Sequence, residues 1–465
     1  MIQKWRVLFS VACGTFMATL DSSIVNIALP TLTKTLHADL LRLKWVILIY
    51  LLVITCLLLP LGRLSDHFGR KVMYQLGFFI FILGSTFCAF SPSLAWLVIH
   101  RGVQAVGGAM LMANGPAIIT TEFAARQRGG ALGILGMVVS AGLLSGPGLG
   151  GLLIEHLGWR SIFLMNVPVG MLGIVFVHYF VKKDEKRPDT FAFDWLGAWI
   201  QAVVLLLCTL VFDRHLISLA QVSYSVLALL LVFFSGLLIW VERRAQMPLL
   251  DLSLLKDPTF WSANLASFLT FVAFSSVNIL MPFFLEGVLH FTPSKAALFM
   301  TAIPVTIFVV APLSGRLSDR VGSQGLSFFG ALIGGLGLFS MAGAFGRGMD
   351  QSTQSLVILL ELASIGLATG LFQSPNNSAI MGAVPLKKLG VASAMLATVR
   401  NLGLVFGTGL STSLFTWRQQ SSGDFILSFH MTLFFAGLVA MGATLASLTK
   451  RSAPQGVIKT HDLEA

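Results

Sequence analysis

Charge is the scarcest ingredient of this chain. Asp, Glu, Lys and Arg make up 11% of its 465 residues, against about 25% in a soluble globular domain. With 55% hydrophobic residues and a mean hydropathy of +0.84, the water-soluble class is excluded and the chain is assigned to lipid. Cysteine is nearly as scarce. Cys13, Cys56, Cys88 and Cys208 each lie inside an apolar run without paired spacing, which excludes a disulfide framework and a zinc site and leaves them as small buried hydrophobes. No glycine loop closes on Lys-Ser or Lys-Thr, so ATP is not expected to drive the protein. His-Glu-x-x-His, Cys-x-x-Cys and Gly-x-Ser-x-Gly are missing, and the nine histidines are scattered. Neither an enzyme nor a cofactor is expected. The net charge of +11 is attributed to loops on one membrane face, not to a nucleic-acid partner.

What the chain has in abundance is long apolar segments. A membrane span needs about 20 mainly apolar residues. By that measure fourteen are expected, at 8–30, 43–62, 73–91, 94–115, 131–153, 161–181, 195–212, 222–241, 260–285, 295–313, 325–346, 354–382, 391–416 and 426–448. Starting inside, alternate loops then hold 21 of the 31 Lys and Arg, the opposite loops hold eight, and Arg101 and Arg400 fall within spans. That bias places both termini in the cytoplasm and makes the chain a multi-pass protein of the cytoplasmic (inner) membrane.

A charged turn, Gly62-Arg-Leu-Ser-Asp66-His-Phe-Gly69-Arg70-Lys71, is wedged between the second and third apolar runs. A shorter copy returns 253 residues later, at Gly315-Arg-Leu-Ser-Asp319-Arg-Val-Gly322. Such a repeat marks an internally duplicated membrane protein. Six spans with short loops take up about 180 to 200 residues, at roughly 20 residues per span plus connections. The offset is therefore too long by two spans, and the excess is the pair at 195–212 and 222–241. The plan is a six-helix bundle (1–181), a linker with two extra peripheral spans (182–257), a second six-helix bundle (258–450) and a tail (451–465). The turn resembles the Gly-x-Leu-x-Asp-Arg-x-Gly-Arg-Lys loop of the major facilitator superfamily, with His67 where that loop usually has Arg. The resemblance implies the all-α membrane fold of two six-helix bundles, to which the span count adds two inserted helices, fourteen in all. It also implies a conformational switch at Gly62, Asp66, Gly69, Arg70, Gly315 and Asp319.

Ionisable groups inside spans are the candidates for chemistry. Asp21 sits near the middle of the first span, where a charge costs at least about 2.5–3.5 kcal/mol. Its helix face also carries Gly14, Met17, Ala18, Val25 and Ala28, small or soft residues suited to a cavity wall. In the fourth span Arg101, Gln104, Ala105 and Gly108 share a face. Asp21 paired with Arg101 as a purely structural unit is the alternative. The segment Leu20-Asp21-Ser-Ser-Ile-Val-Asn26-Ile-Ala-Leu-Pro30 is similar to the first span of the fourteen-helix drug:proton antiporters. Arg101-Gly-Val-Gln104-Ala-Val-Gly resembles their fourth-span motif, whose arginine serves proton transfer. Gly142-Leu-Leu-Ser-Gly146-Pro147-Gly-Leu-Gly150-Gly151 has small residues at four-residue spacing, which lets helix backbones approach, and resembles the antiporter signature. Trp159-Arg-Ser-Ile-Phe-Leu-Met-Asn166-Val-Pro-Val-Gly170 matches the same subfamily most specifically.

The second half places Glu361 in span twelve and Arg400 in span thirteen. Glu361 is read either as a second proton-coupling acid or as a side chain snorkelling to the interface. The expectation is a proton-driven exporter of lipophilic small molecules with Asp21, Arg101 and Glu361 in proton coupling. Asp21, Asn26, Gln104, Met112 and Arg400 are expected to line the substrate cavity. Partners are the substrate, protons and the bilayer, with function as a monomer and a periplasmic adaptor left open. An exporter of one endogenous metabolite is the alternative, and a non-transporting sensor a more distant one.

Overall fold

In the computed structural model every regular element among the described residues is helical. The structure describes residues 2–123, 125–182, 194–211, 223–244, 254–344, 351–384 and 389–448. The tail at 451–465 and most of the connections flanking the extra pair lie outside them.

The first half holds α1 (Ile2–Leu36), α2 (Leu40–Leu43), α3 (Trp45–Phe68), α4 (Arg70–Ala89), α5 (Leu94–Glu122), α6 (Ala125–Leu157), α7 (Ser161–Leu164) and α8 (Asn166–Phe180). Two helices follow, α9 (Trp195–Val211) and α10 (Tyr224–Arg244). The second half holds α11 (Pro258–Phe283), α12 (Pro293–Met300), α13 (Ala302–Val321), α14 (Ser323–Ala344), α15 (Gln351–Gly382), α16 (Leu389–Ser422) and α17 (Phe425–Leu448). Starts are legible locally. Asp257 accepts from the Phe260 amide at 2.8 Å with Pro258 next in line, and Thr292 accepts from the Lys295 amide before Pro293. Both are side-chain caps followed by a first-turn proline.

Twelve helical segments among the described residues are long and apolar enough to cross a membrane, not fourteen. The two that fall short do so for different reasons. Trp195–Val211 has 17 residues, about 26 Å at 1.5 Å per residue, against a hydrocarbon core of about 30 Å. Leu389–Ser422 is long enough at 34 residues, but Thr398, Arg400, Asn401, Thr408, Ser411 and Thr412 dilute its apolar character. Large apolar side chains such as Phe79, Phe87, Leu172 and Val232 are exposed on the outside of the bundle, as lipid solvent requires.

The two charged turns share one backbone solution. Gly69 (φ 93°, ψ 130°) separates α3 from α4, and Gly322 (φ 88°, ψ 156°) separates α13 from α14. Only glycine adopts that region without strain. Gly62 and Gly315 do not turn the chain. They lie inside helices, Gly62 facing Ala113 and Gly315 facing Ser374 closely enough that a Cβ would sit 2.8 Å from its Oγ.

The halves share a single apolar core at one end. There Ile24, Ala28 and Ile47 pack in one cluster with Trp159, Val277, Leu280, Ala297 and Phe415. At the end carrying the charged turns the cores are separate, one around Val11, Tyr74 and Ile118, the other around Phe260, Ile380 and Met395. The closed end is held by close approach of α6 to α12. A Cβ on Gly151 would lie 2.5 Å from the Ala297 Cβ and 2.8 Å from the Pro293 carbonyl, and Glu155 accepts from the Ser294 amide at 3.1 Å. The extra pair is not isolated at the periphery. α9 touches both α3 and α16, one helix from each half, while α10 packs on α9.

Candidate functional site

Asp21 sits midway along α1 with its side chain fully buried. Its Oδ2 accepts from Arg101 Nη1 at 2.5 Å. Its Oδ1 accepts from Gln104 Nε2 at 2.8 Å and from Asn166 Nδ2 at 2.9 Å. Three donors on two helices of the first half, α5 and α8, thus converge on one carboxylate. This satisfies the rule that a buried charge be both paired and hydrogen-bonded.

Each donor is itself fixed. Arg101 Nη1 also donates to Gln104 Oε1 at 2.6 Å, and its Nε donates to the Val46 carbonyl at 3.2 Å. Its guanidinium carbon lies 4.1 Å from the centre of the Tyr50 ring and 5.8 Å from that of Phe163, within range of a cation–π contact. Gln104 Nε2 donates to Ser85 Oγ at 2.7 Å as well. Tyr50 donates its hydroxyl to the Ala18 carbonyl on α1. The result is a closed polar knot of Asp21, Ser85, Arg101, Gln104 and Asn166, every member within 1% of full burial.

The antiporter-like glycine run builds the wall beside it. Gly142, Gly146 and Gly150 face α1. A Cβ on Gly142 would collide with Thr19 Oγ1, one on Gly146 with Ser23 Oγ, and one on Gly150 would lie 2.6 Å from Ile24 Cγ1. Pro147, buried in the same helix, lies between two of these contacts. Gly148 and Gly151 point instead to α12, so one helix serves both the intra-half and the inter-half seam.

The other expected site residues are placed differently. Asn26, Met112 and Arg400 are half-buried, and Arg400 has no hydrogen-bond or ion-pair partner among the described residues. Asp21 and Gln104 face the knot, not open space. Glu361 stands apart, half-buried on α15, and accepts from Ser340 Oγ on α14. In the charged turn Arg70 donates to the Ala117 carbonyl at 2.9 Å and Lys71 to the His178 carbonyl at 2.7 Å. The side chains of Asp66 and Asp319 lie outside the described residues.

Sequence reasoning missed two contributors to the knot, Asn166 and Tyr50, and one buried acid outside it, Glu286. Asn166 was visible only as part of a motif, with no role. Tyr50 carried a usable signal: tyrosine occurs four times against 37 phenylalanines, so each hydroxyl in an apolar run asks for a partner. Tyr50 and Tyr74 are both buried and both donate to α1 carbonyls. Glu286, buried in the π-helical turn Phe284–Val288 that continues α11, has one carboxylate oxygen unpartnered among the described residues. It sits just past the expected end of its span, where an acid reads as a loop residue.

Comparison with known proteins decides the family. The Major Facilitator Superfamily pattern matches residues 11–408. The chain belongs to the major facilitator superfamily. It is 35% identical over 420 residues to the riboflavin transporter RibZ of Clostridioides difficile (strain 630), covering 89% of each chain. It is 30% identical over 413 residues to the multidrug resistance protein Stp of Mycobacterium tuberculosis (strain CDC 1551 / Oshkosh), covering 88% of this chain and 76% of that one. The fold is similar to that of a D-xylose-proton symporter, with a TM-score of 0.69 at 16% identity over 97% of this chain and 98% of the other. The superfamily and these relatives are transporters.

Proposed function

We propose that this major facilitator protein is a proton-coupled exporter of lipophilic small molecules across the cytoplasmic membrane. The observation that carries the reading is the buried knot on Asp21. A membrane-embedded carboxylate held by an arginine and two amides is a site where adding or removing one proton changes several hydrogen bonds at once. In the present conformation the carboxylate is saturated with donors, as an anion requires. Taking a proton obliges one donor to let go, and separation of Arg101 from Asp21 during alternating access supplies that change. The two conformations then differ in proton affinity, which is the condition for coupling.

The open end, with both charged turns and both termini, faces the cytoplasm in this reading, so the structure corresponds to a state loading substrate from inside. The half-buried positions Asn26, Met112 and Arg400 contribute to the substrate path, and Asp66 and Asp319 to the switch. The positive-inside charge bias supports that orientation. Trp195–Val211 and the polar α16 complete the crossings to fourteen. In support, α16 packs between α11, α17 and α3, and the 17-residue α9 lies against two spans. Export of drugs is supported by the likeness to the multidrug resistance protein Stp.

The test is substrate-induced proton movement in proteoliposomes across a compound panel, with Asp21→Asn beside the parent protein. The expected result is proton flux in the parent and loss of uphill export in the variant at matched expression. Full uphill export by Asp21→Asn removes Asp21 from the role. A second reading, transport of one endogenous metabolite, is favoured by the 35% identity to a riboflavin transporter. A panel response confined to a single compound selects it.

A further inference from the structure

We infer that Asn166 is the positioning residue that reports the protonation of Asp21 to the closed end of the molecule, an inference that rests on Asp21 being the proton-coupling acid. Three donors reach the Asp21 carboxylate, and they differ in what they do once it becomes an acid. Arg101 has no acceptor to offer. Gln104 is pinned: its Oε1 accepts from Arg101 at 2.6 Å, while its Nε2 serves both Asp21 and Ser85. Turning its amide over breaks these three bonds and the contact its Oε1 accepts from Cys88 Sγ at 3.9 Å. Asn166 has a single hydrogen bond among the described residues, the one to Asp21 Oδ1 at 2.9 Å. Its amide reverses at the cost of that bond alone.

The step is balanced simply. A proton from the medium adds to Asp21 Oδ1, and the new O–H takes the place of an acceptor lone pair. The Asn166 amide turns half a revolution, so that its Oδ1 accepts from the acid where its Nδ2 had donated to the anion. Oδ2 keeps its bond to Arg101 until that helix moves.

Position makes this reversal consequential. Asn166 is the first residue of α8, which continues α7 (Ser161–Leu164) through Met165, itself helical at φ −61° and ψ −23°. Phe163 of α7, with Trp159 and Ile162 beside it, belongs to the apolar core shared by the two halves at the closed end. Phe163 also lies 5.8 Å from the Arg101 guanidinium. A change in the hydrogen bond at Asn166 is therefore applied one turn from the side chains that seal that end, along one continuous helical segment.

The decisive measurements are the pH profile of pH-gradient-driven export in proteoliposomes for Asn166→Ala and Asn166→Asp, and substrate counterflow without a pH gradient for Asn166→Ala made in the parent and in the Asp21→Asn background. Asn166→Ala is expected to lower both uphill export and counterflow about tenfold in the parent, and to change the counterflow that Asp21→Asn is expected to retain by less than twofold, because its effect passes through the carboxylate. Asn166→Asp, nearly isosteric, is expected to export only on the acid side of the parent profile, where one carboxyl of the pair carries a proton. An unchanged pH profile in both Asn166 variants, with Asp21→Asn inactive, overturns the assignment and leaves the proton reading intact. An equal loss of counterflow in the parent and the Asp21→Asn backgrounds overturns it as well, since that is the mark of a packing role. If Asn166→Ala does not insert, Asn166→Asp alone decides by its profile. Retained uphill export by Asp21→Asn instead overturns the reading on which both rest.

Discussion

At the scale of single residues, the knot around Asp21 makes Arg101 a structural group beside its proposed part in coupling. Removing a membrane charge lowers the cost of insertion, and on sequence alone Arg101→Ala is expected to insert but to lose coupling. The geometry adds a cost in stability. Arg101→Ala strands Asp21 as a buried anion and frees Gln104 Oε1 and the Val46 carbonyl. Breaking one partner of a buried ion pair costs about 3–5 kcal/mol. The purified variant is expected to unfold at a clearly lower temperature than the parent. The double variant Asp21→Asn with Arg101→Ala is expected to recover part of that loss, because no uncompensated charge remains. Additive losses in a thermal unfolding series argue against the pair as the unit. Arg101→Lys keeps the charge, but one ammonium cannot reproduce a fork that serves Asp21, Gln104 and a backbone carbonyl while covering Tyr50. Its export rate is expected to fall about tenfold, read at matched expression.

At the scale of elements, α6 shows how one helix is divided between two tasks. Gly142, Gly146 and Gly150 form a stripe against α1, while Gly148 and Gly151 form another against α12. The first stripe belongs to packing within a half and the second to the seam between the halves. Gly146→Leu is expected to abolish stable expression, because the side chain meets Ser23 Oγ and lies 3.1 Å from the Ile24 amide nitrogen even at its first carbon. Gly236→Ala on α10 is the matched control. Nothing lies within 4 Å of a Cβ there, and replacing a mid-helix glycine is expected to stabilise by about 0.5–1 kcal/mol. Equal losses in the two variants, measured by fluorescence-detected size exclusion, defeat the packing account. The repeated turn is the other element-scale lesson. The two copies at Gly69 and Gly322 adopt nearly the same left-handed backbone although only the first ends in Arg-Lys. The glycine is therefore what the local geometry demands, and the surrounding charges are free to differ.

At the scale of the whole molecule, the asymmetry of the cores makes a mechanical statement. Sealing one end buries Ile24, Val277, Ala297 and their neighbours in a single cluster, while the other end keeps two cores. If the halves rock about this seam, tying it shut must stop transport. Gly148 and Thr301 face each other across it, with a Cβ on Gly148 at 3.8 Å from Thr301 Cγ2. Gly148→Cys paired with Thr301→Cys, in a background without the four native cysteines, is expected to cross-link on oxidation. Export should then cease and return on reduction. Export that persists in the fully cross-linked protein shows that the seam does not open during turnover. Orientation is tested independently. A cysteine in the 182–190 connection is expected to react only with reagent supplied from the cytoplasmic side, and labelling from outside inverts the assignment.

Much of this molecule is determined by patterns a linear reading can count. Apolar length sets the helices, because lipid offers the backbone no hydrogen bonds and each span must satisfy its own. The offset between the two charged turns sets the duplication, and the rarity of charge picks out Asp21 and Arg101, since a charge in that setting needs a reason. The helical ends, the peripheral pair and the crossing count were less legible. They depend on which face of a helix meets lipid, as the half-polar Leu389–Ser422 shows by packing among three other helices. What only tertiary structure decides is which groups converge. Asp21 and Asn166 are 145 residues apart, and Asn166 is not distinguished from other polar residues in its segment until α1, α5 and α8 are brought together. The same holds for the surroundings of Glu361, an acid for which only packing supplies the donor, the Ser340 hydroxyl. Hydrogen-bond geometry is a property of three-dimensional approach over about 3 Å, and no periodicity in one chain encodes it.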